Sequence, residues 1–476
     1  VITAHAVADV RAAEHALMAQ VPDGALMQRA ATGLAVVCVR LLGRTTGSRV
    51  VLLVGAGDNG GDTLFAGARL AARGARVRAV LLDATKAHAP GLAALRAAGG
   101  RVVTAETELD EIAAADLVLD GIVGIGGKPG LRPAAARLAR AAATSDAVTV
   151  AVDLPSGVEV DTGRTPQPHV TADVTVTFGT HKVCHLVDPA ASACGAVHLV
   201  DIGLGPLLPE PAVESLDDAD VAALLPVPRR DDDKYRRGVL GIHAGAEEYA
   251  GASVLATTAA IHSGAGMVRV LGEAAVTAEV RRACPEAVLA DGRVQASLAG
   301  PGMDPDRAVD VVPGLIDAGV PLVLDAGALA AVHGPLRGDV LLTPHAGELA
   351  RLMDLPREAI EADRLGSVTR AAARFGATVL LKGSTTLVAT PDGRVRANGT
   401  GTSWLATAGS GDVLAGLAGA LLCSGLSPLD AGSVAAHVHG LAGRLAASRV
   451  GAPSATDVLA ALPAALLALR LGGSSV

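Results

Sequence analysis

Arg49-Val50-Val51-Leu52-Leu53-Val54 is apolar without alternation, and it stops abruptly at Gly55-Ala56-Gly57. A strand with one wet face alternates apolar and polar residues. A run like this one must be covered on both faces, as in a parallel sheet flanked by helices. A helical pattern follows over residues 61–73 and another apolar run over 77–82, which together predict a β-α-β unit. Helical patterns over 7–17 and 26–42 precede it. Further buried runs are expected at 117–119, 148–152 and 174–178. The theme recurs with different residues at 239–243, 267–270, 322–324, 340–342 and 379–381, with helices over 360–375 and 413–422. Thr390-Pro391-Asp392-Gly393 reads as a hairpin turn. The expected fold class is α/β with parallel sheets.

A chain of 476 residues suggests two to three domains at roughly 150 residues each. The stretch from Gly203 to Pro211 holds three prolines and two glycines and reads as a connector. It predicts two domains, 1–213 and 214–476. Residues are 50% hydrophobic and 18% charged, enough for large cores and too apolar for disorder. Three Phe, two Tyr and one Trp make no stacking platform for single-stranded nucleic acid. A net charge of −8 argues against nucleic-acid binding generally. Cys38, Cys184, Cys194, Cys284 and Cys423 form no C-x-x-C pair, so buried reduced thiols are expected, in keeping with a cytoplasmic protein. Asp9, Arg11 and Glu14 interrupt any apolar leader. No run reaches the ~18 apolar residues of a membrane span, and 458–469, with Pro463, reads as a terminal helix.

The chemistry-bearing residues of the first half lie where apolar runs end. Gly55-Ala56-Gly57-Asp58-Asn59-Gly60 matches G-x-G-x-x-G between a strand and a helix, with Asp83 near the end of the next strand. Asn59-Gly60-Gly61-Asp62 adds oxygen ligands and room for close backbone approach. Asp120 follows one apolar run and precedes Gly121-Ile122-Val123-Gly124-Ile125-Gly126-Gly127. Asp153 follows another and precedes Leu154-Pro155-Ser156-Gly157. In parallel sheets ligands bind outside the carboxyl ends of strands. The same residues also serve as ligand-free turns and helix N-caps. Asn59, Asp120 and Ser156 offer hard oxygen donors suited to an alkali cation or magnesium rather than zinc.

These motifs, with Thr175-Val176-Thr177-Phe178-Gly179, resemble the NAD(P)H-hydrate epimerase domain, a Rossmann-like fold that binds potassium. The resemblance implies Asn59, Asp120 and Ser156 as potassium ligands. It implies Asp58, Asn59, Gly60, Gly61 and Asp62, the loop Gly124, Ile125, Gly126, Gly127, Lys128, Pro129, Gly130, and Asp153 as the site for the hydrated nucleotide. Asp58 stands where the family usually has Asn, and Thr63 where it has Gly.

In the second half, Thr407-Ala408-Gly409-Ser410-Gly411-Asp412 leads into a helix whose first N–H groups and dipole favour an anion. A carboxylate there can act as base toward a hydroxyl while amides stabilise a transferring phosphoryl group. A turn with an Asp cap uses the same residues. Lys382-Gly383-Ser384-Thr385-Thr386 puts Lys and hydroxyls at a strand end. Thr343-Pro344-His345-Ala346-Gly347-Glu348 marks another, and Ala299-Gly300-Pro301-Gly302 and Leu324-Asp325-Ala326-Gly327 complete the set. Together with Tyr249-Ala250-Gly251-Ala252 and His262-Ser263-Gly264-Ala265-Gly266, these resemble the ribokinase-like ADP/ATP-dependent NAD(P)H-hydrate dehydratase domain. The resemblance implies Ala252, Gly302, His345 and Asp412 as contacts to the hydrated nucleotide. It implies Lys382, Gly383, Ser384, Thr385, Thr386 and Gly411 as contacts to ADP, with magnesium. Gly327 stands where a second Asp is common, and Ile242-His243-Ala244-Gly245 replaces a more Gly/Ser-rich turn.

The two resemblances in tandem imply a bifunctional NAD(P)H-hydrate repair enzyme acting on NADHX and NADPHX. Its partners would be small molecules and copies of itself, with no nucleic acid or membrane. Asp412 would deprotonate the ring hydroxyl for phosphorylation by ADP, and phosphate would then be eliminated. Asp153 would be the acid/base of epimerisation. A ribokinase-like small-molecule kinase fused to a nucleotide-binding domain, a dehydrogenase using Asp83, and a non-enzymatic first domain remain alternatives at this level.

Overall fold

In the computed structural model, residues 1–243 and 245–472 are described, and they fall into two units: Thr3–Val213, and the described residues from Glu214 onward together with Val1–Ile2. Ala244 of the turn noted above lies outside the described residues.

The strands of the first unit are β1 (Ile2–His5), β2 (Arg49–Val54), β3 (Arg76–Leu81), β4 (Arg101–Val102), β5 (Leu117–Gly121), β6 (Val148–Val152), β7 (Val174–Phe178), β8 (His181–Lys182) and β9 (Ala196–Val200). Its main sheet has the order β4-β3-β2-β5-β6-β7-β9, with every pair parallel. β8 pairs with β1, His5 opposite Lys182. The order reverses at β2, so the crevice between the carboxyl ends of β2 and β5 is the topological switch point, where doubly wound folds bind ligands. Val50, Leu52 and Val54 pack into one core with Leu64, Leu119 and Val150, while Val51 and Leu53 pack into another with Ile112 and Leu138. That is why the β2 sequence shows no alternation.

The second unit contains β10 (Val213–Ser215), β11 (Val239–His243), β12 (Met267–Leu271), β13 (Ala296–Ala299), β14 (Leu322–Leu324), β15 (Val340–Leu342), β16 (Thr378–Leu381), β17 (Thr386–Ala389) and β18 (Val395–Asn398). The order is β12-β11-β13-β14-β15-β16-β17-β18-β10. It is parallel from β12 to β16, then antiparallel through the hairpin at Thr390, with β10 again parallel to β18. Helices Ala250–His262, Ser410–Cys423 and Pro428–Val450 carry much of its core through Ala256, Val413, Leu417 and Val434.

Four expectations need correction. The first-half site helix spans Asp58–Ala72, so Asp58 to Asp62 form its first turn and a half rather than a preceding loop. Asp120 lies within β5 and not beyond it. The helix expected over 360–375 is two, Arg357–Ala362 and Arg364–Phe375. The break is at Asp363, whose carboxylate accepts from the Gly366 N–H at 3.2 Å as an N-cap. The apolar helix long enough for a span is Ala25–Leu42, not the terminal one, and it buries Ala30, Ala31, Leu34 and Cys38 in the first core. β13, Ala-Ser-Leu-Ala, was not anticipated because small residues give it no pattern. All five cysteines are buried and unpaired.

Leu52 is fully buried at the centre of β2. Leu52→Ala should destabilise the first unit by about 2–5 kcal/mol, the usual range for a buried Leu truncation. Urea denaturation would show this as a lower midpoint for the first unit's transition with an unchanged slope.

Candidate active sites

Each unit gathers its reactive side chains at the carboxyl edge of its own sheet. In the first, Gly57 takes φ 114°, a conformation L side chains avoid, and starts the helix Asp58–Ala72 directly after β2. A Cβ at Gly55 would overlap the carbonyl oxygen of Ile122, so glycine lets the β2 and β5 ends touch. Asp58 is exposed at the first helical position, where a carboxylate suits the dipole. Thr63 is fully buried, donates to Asn59 O at 2.7 Å and packs against Gly121, where a side chain would collide with it.

Asp120 is fully buried, and Ser156 meets it twice: Oγ donates to Oδ1 at 2.7 Å and the backbone N–H to Oδ2 at 2.8 Å. Ser156 Oγ also lies 3.3 Å from Val123 O. Burial pushes the Asp120 carboxyl up to about 6 against these hydrogen bonds. The Asn59 amide packs on Gly124 in the same loop, and its Nδ2 is buried without a partner. Asp120 and Ser156 are thus in contact, with Asn59 beside them. The remainder of the 124–130 loop runs outward to exposed Lys128 and Pro129, while Gly130 donates to Gly157 O at 2.8 Å.

Asp153 follows β6 in a left-handed conformation, φ 70°, which costs a non-glycine residue of order 1 kcal/mol. What it meets there is Lys182, fully buried, whose Nζ donates to Asp153 Oδ1 at 2.6 Å, Thr177 Oγ1 at 2.9 Å and Phe178 O at 3.0 Å. Thr177 donates to the same Oδ1 at 3.1 Å, and His185 Nε2 lies 2.9 Å from Asp153 O. Burial alone would raise the Asp153 carboxyl, but Lys182, His185 and Thr177 together hold it below the usual carboxylate range. Asp62 is buried nearby. Burial and the charges of Asp153, Asp58 and Glu14 push it well up, and Lys182 offsets this only partly. Asp83 stands apart from this cluster, half-buried and engaged by Thr85 and Lys86.

The sequence reading missed Lys182, His185 and Glu14. A lysine in Thr180-His181-Lys182 looks like a surface residue after a strand. Only the β1–β8 pairing and the buried Asp153 turn it inward.

In the second unit, Gly409 at φ 87° opens the helix Ser410–Cys423. The N–H groups of Ser410 and Asp412 fold back to Thr407 O and Gly409 O at 3.3 and 3.1 Å, and Gly411 faces the Lys382 ammonium. Lys382 Nζ donates to Asp325 Oδ1 at 2.9 Å and lies 3.8 Å from Glu348 Oε2. Burial alone would lower the Lys382 ammonium, but Asp325, Glu348 and Asp412 raise it. Burial raises the Asp412 carboxyl to about 7, with Asp325 and Glu348 adding to it and Lys382 opposing.

His345 caps the helix Ala346–Met353: Nδ1 accepts from Gly347 and Glu348 N–H at 3.0 and 3.2 Å. A ring accepting at Nδ1 is neutral, and burial likewise lowers its pKa. Gly302, φ 65°, packs against Ala252, and Gly300 against the Asp325 backbone. At Gly327 a Cβ would overlap Met303 O, so this backbone has no room for an Asp there. Thr385 and Thr386 are buried and Ser384 is exposed. Behind this loop the buried Arg364, also missed in the sequence, donates to Lys382 O and Thr385 O, both at 3.1 Å.

Comparison with known proteins places these sites in context. The family description NAD(P)H-hydrate dehydratase matches residues 240–464, and YjeF-related protein N-terminus matches 23–184. The bifunctional NAD(P)H-hydrate repair enzyme Nnr of Mycobacterium leprae is 46% identical over 463 residues, covering 94% of each chain. That of Mycobacterium tuberculosis is 47% identical over 438 residues, covering 89% of each. A solved ADP/ATP-dependent NAD(P)H-hydrate dehydratase from Bacillus subtilis, co-crystallised with ATP and Mg2+, is 28% identical with a TM-score of 0.52. It covers 54% of this chain and 99% of its own.

Lys182→Met would leave Asp153 buried without its cation. Breaking such a pair costs about 3–5 kcal/mol. The Asp153 carboxyl should titrate above the normal range in the variant, read by carboxyl NMR, and the first unit should unfold at lower denaturant.

Proposed function

The chain belongs to the bifunctional NAD(P)H-hydrate repair enzymes, and from that premise we propose how its own residues divide the work. It epimerises hydrated NADH and NADPH and dehydrates them back to the reduced nucleotide. Asp412 beside Lys382 at the start of a helix supports the reading most directly: a base near neutrality next to a cation and backbone amides.

Hydration leaves a hydroxyl on the ring carbon beside nitrogen, and hydroxide is a poor leaving group. In the second unit Asp412 takes the hydroxyl proton as that oxygen attacks the terminal phosphoryl group of the nucleotide, and the bond to the leaving nucleotide breaks. ADP is our choice of donor. The Gly411 and Gly409 amides face the developing charge, because those of Ser410 and Asp412 are engaged locally. Lys382, Gly383, Ser384, Thr385 and Thr386 hold the nucleotide's phosphates, and Arg364 fixes their loop from behind. Magnesium bound to those phosphates would supply further neutralisation. Ala252, Gly302 and His345 line the hydrated ring. The ring nitrogen's lone pair then expels phosphate, and loss of the neighbouring carbon's proton restores the dihydronicotinamide.

Only one epimer need fit that site, and the first unit would supply it from the other. Its site takes the nucleotide along Asp58 to Asp62, the 124–130 loop and Asp153. Asn59, Asp120 and Ser156, with Val123 O, fit potassium. They present neutral oxygens and one buried carboxylate, and a single positive charge relieves the burial that lifts Asp120 to about 6. Potassium there would fix the 121–124 loop over the substrate. Asp153, held ionised by Lys182, faces the reacting ring.

A mixed-epimer NADHX sample with magnesium and ADP tests the reading by recovery of dihydronicotinamide absorbance. Full recovery is expected. Recovery stopping near half removes the epimerase, and a stable phosphorylated product with no recovery makes the second unit a kinase.

Dehydration should need ionised Asp412. Its rate should fall as pH drops through about 7. Asp412→Asn should lose about 10²–10⁴-fold in kcat, and the residual rate should lack that acidic limb.

A further inference from the structure

We propose that Asp62 is the general acid of the epimerase site, delivering a proton to the departing ring hydroxyl while the Asp153 carboxylate accepts one from the incoming water. The inference rests on the epimerase reading of the first unit and adds a second catalytic group to it.

The argument begins with a shortage of cations. Asp62 lies in the first turns of the helix Asp58–Ala72, only 9% exposed, and its Oδ1 is buried with no hydrogen-bond partner. Its charged neighbours are Asp58 on its own helix, Glu14 on the helix Val7–Met18, Asp153 after β6 and Lys182 on β8. Of these only Lys182 is positive, and all three of its ammonium donors are taken by Asp153, Thr177 and Phe178. Other titratable groups at the edge are directed elsewhere. Arg11 reaches Ile125 O, His185 is held at Asp153 O, and His88, against Gly61, accepts from Gly91 N–H. One lysine cannot neutralise two buried carboxylates at once. Asp153 has the hydrogen bonds and is the ion. Asp62 has none on Oδ1 and keeps its proton, and burial pushes its pKa in the same direction. Two carboxyl groups driven apart in this way are the arrangement from which an acid and a base are made.

The chemistry needs both. Inverting the carbon requires its C–O bond to break and re-form on the opposite face. The ring nitrogen's lone pair forms a C=N bond as the C–O electrons leave with oxygen, and the Asp62 proton converts that oxygen to water. A water on the other face then adds to the carbon, its electrons return the C=N pair to nitrogen, and Asp153 takes its proton. The enzyme ends with Asp62 ionised and Asp153 protonated, which is the form needed for the reverse direction. No oxidant or further reactant enters. Among the described residues, the side-chain hydrogen bonds to Asp153 fall on Oδ1, so Oδ2 is the atom that receives the proton.

The test uses the full chain with mixed-epimer NADHX, ADP and magnesium, following absorbance recovery. The fast phase reports dehydration in the second unit. The slow phase reports epimerisation, corrected for the uncatalysed rate. Asp62→Asn is expected to slow the slow phase by about 10²–10⁴-fold in kcat, with little change in KM and the fast phase intact. Wild-type epimerisation should decline on the alkaline side as Asp62 loses its proton, and the residual rate of Asp62→Asn should lack that limb. Asp62→Glu, which keeps the acid, should restore part of the rate and the limb. An unchanged slow phase in Asp62→Asn, or a loss confined to KM, overturns the proposal. A wild-type chain with no slow phase at all overturns instead the epimerase reading on which it rests.

Discussion

A buried ammonium facing more carboxyl groups than it can neutralise is the interaction on which both sites depend. Lys182 faces Asp153, Asp62 and Glu14, and Lys382 faces Asp325, Glu348 and Asp412. In each cluster the lysine bonds one carboxylate closely, Asp153 at 2.6 Å and Asp325 at 2.9 Å. In the first unit the partnered group, Asp153, is the ion. A neighbour left in the same low-dielectric edge is pushed toward its neutral form, Asp62 in one unit and Asp412 in the other. Chain folds of this kind can run acid and base chemistry near neutral pH because the protein rations positive charge, not because the acids themselves are unusual.

The parallel sheet makes that crowding available. Every strand of such a sheet points its carboxyl end the same way, so residues remote in sequence converge on one edge. Asp325 and Lys382 arrive in this way from β14 and β16, whereas Asp153 follows β6 and its partner Lys182 comes from β8, which pairs with β1 outside that sheet. Glycines allow the loops at those ends to meet. Side chains at Gly55 and Gly300 would collide with the backbone at Ile122 and Asp325. Helix N-termini complete the edge, with Asp58–Ala72 beginning at Gly57 and Ser410–Cys423 at Gly409, each glycine in a positive-φ conformation that other residues rarely adopt. Function here is concentrated at the ends of elements whose middles are ordinary apolar packing.

Much of this was legible beforehand because it is local. Strand cores such as β2, β11, β14 and β15 are short apolar runs that no other element explains, and the glycine-rich turns after them mark strand-to-helix crossings. Weak local signals failed. β13 is built of small residues, and one helical pattern over 360–375 concealed an N-cap at Asp363. Among the residues gathered at these sheet edges, those inside motifs were singled out from sequence. Lys182, His185, Glu14 and Arg364 were not, because each acts through a partner distant in the chain: Lys182 is 29 residues from Asp153, and Arg364 is 21 from Thr385.

The sequence by itself determined the α/β class with parallel sheets and the glycine-rich turns and acidic residues that follow its strands, since these follow from periodicity, turn residues and capping within short windows. Only the tertiary structure decided which carboxyl group is an ion and which keeps its proton. Charge state depends on burial and on the distance to a single ammonium, and both are set by how elements separated in the chain come together in the fold.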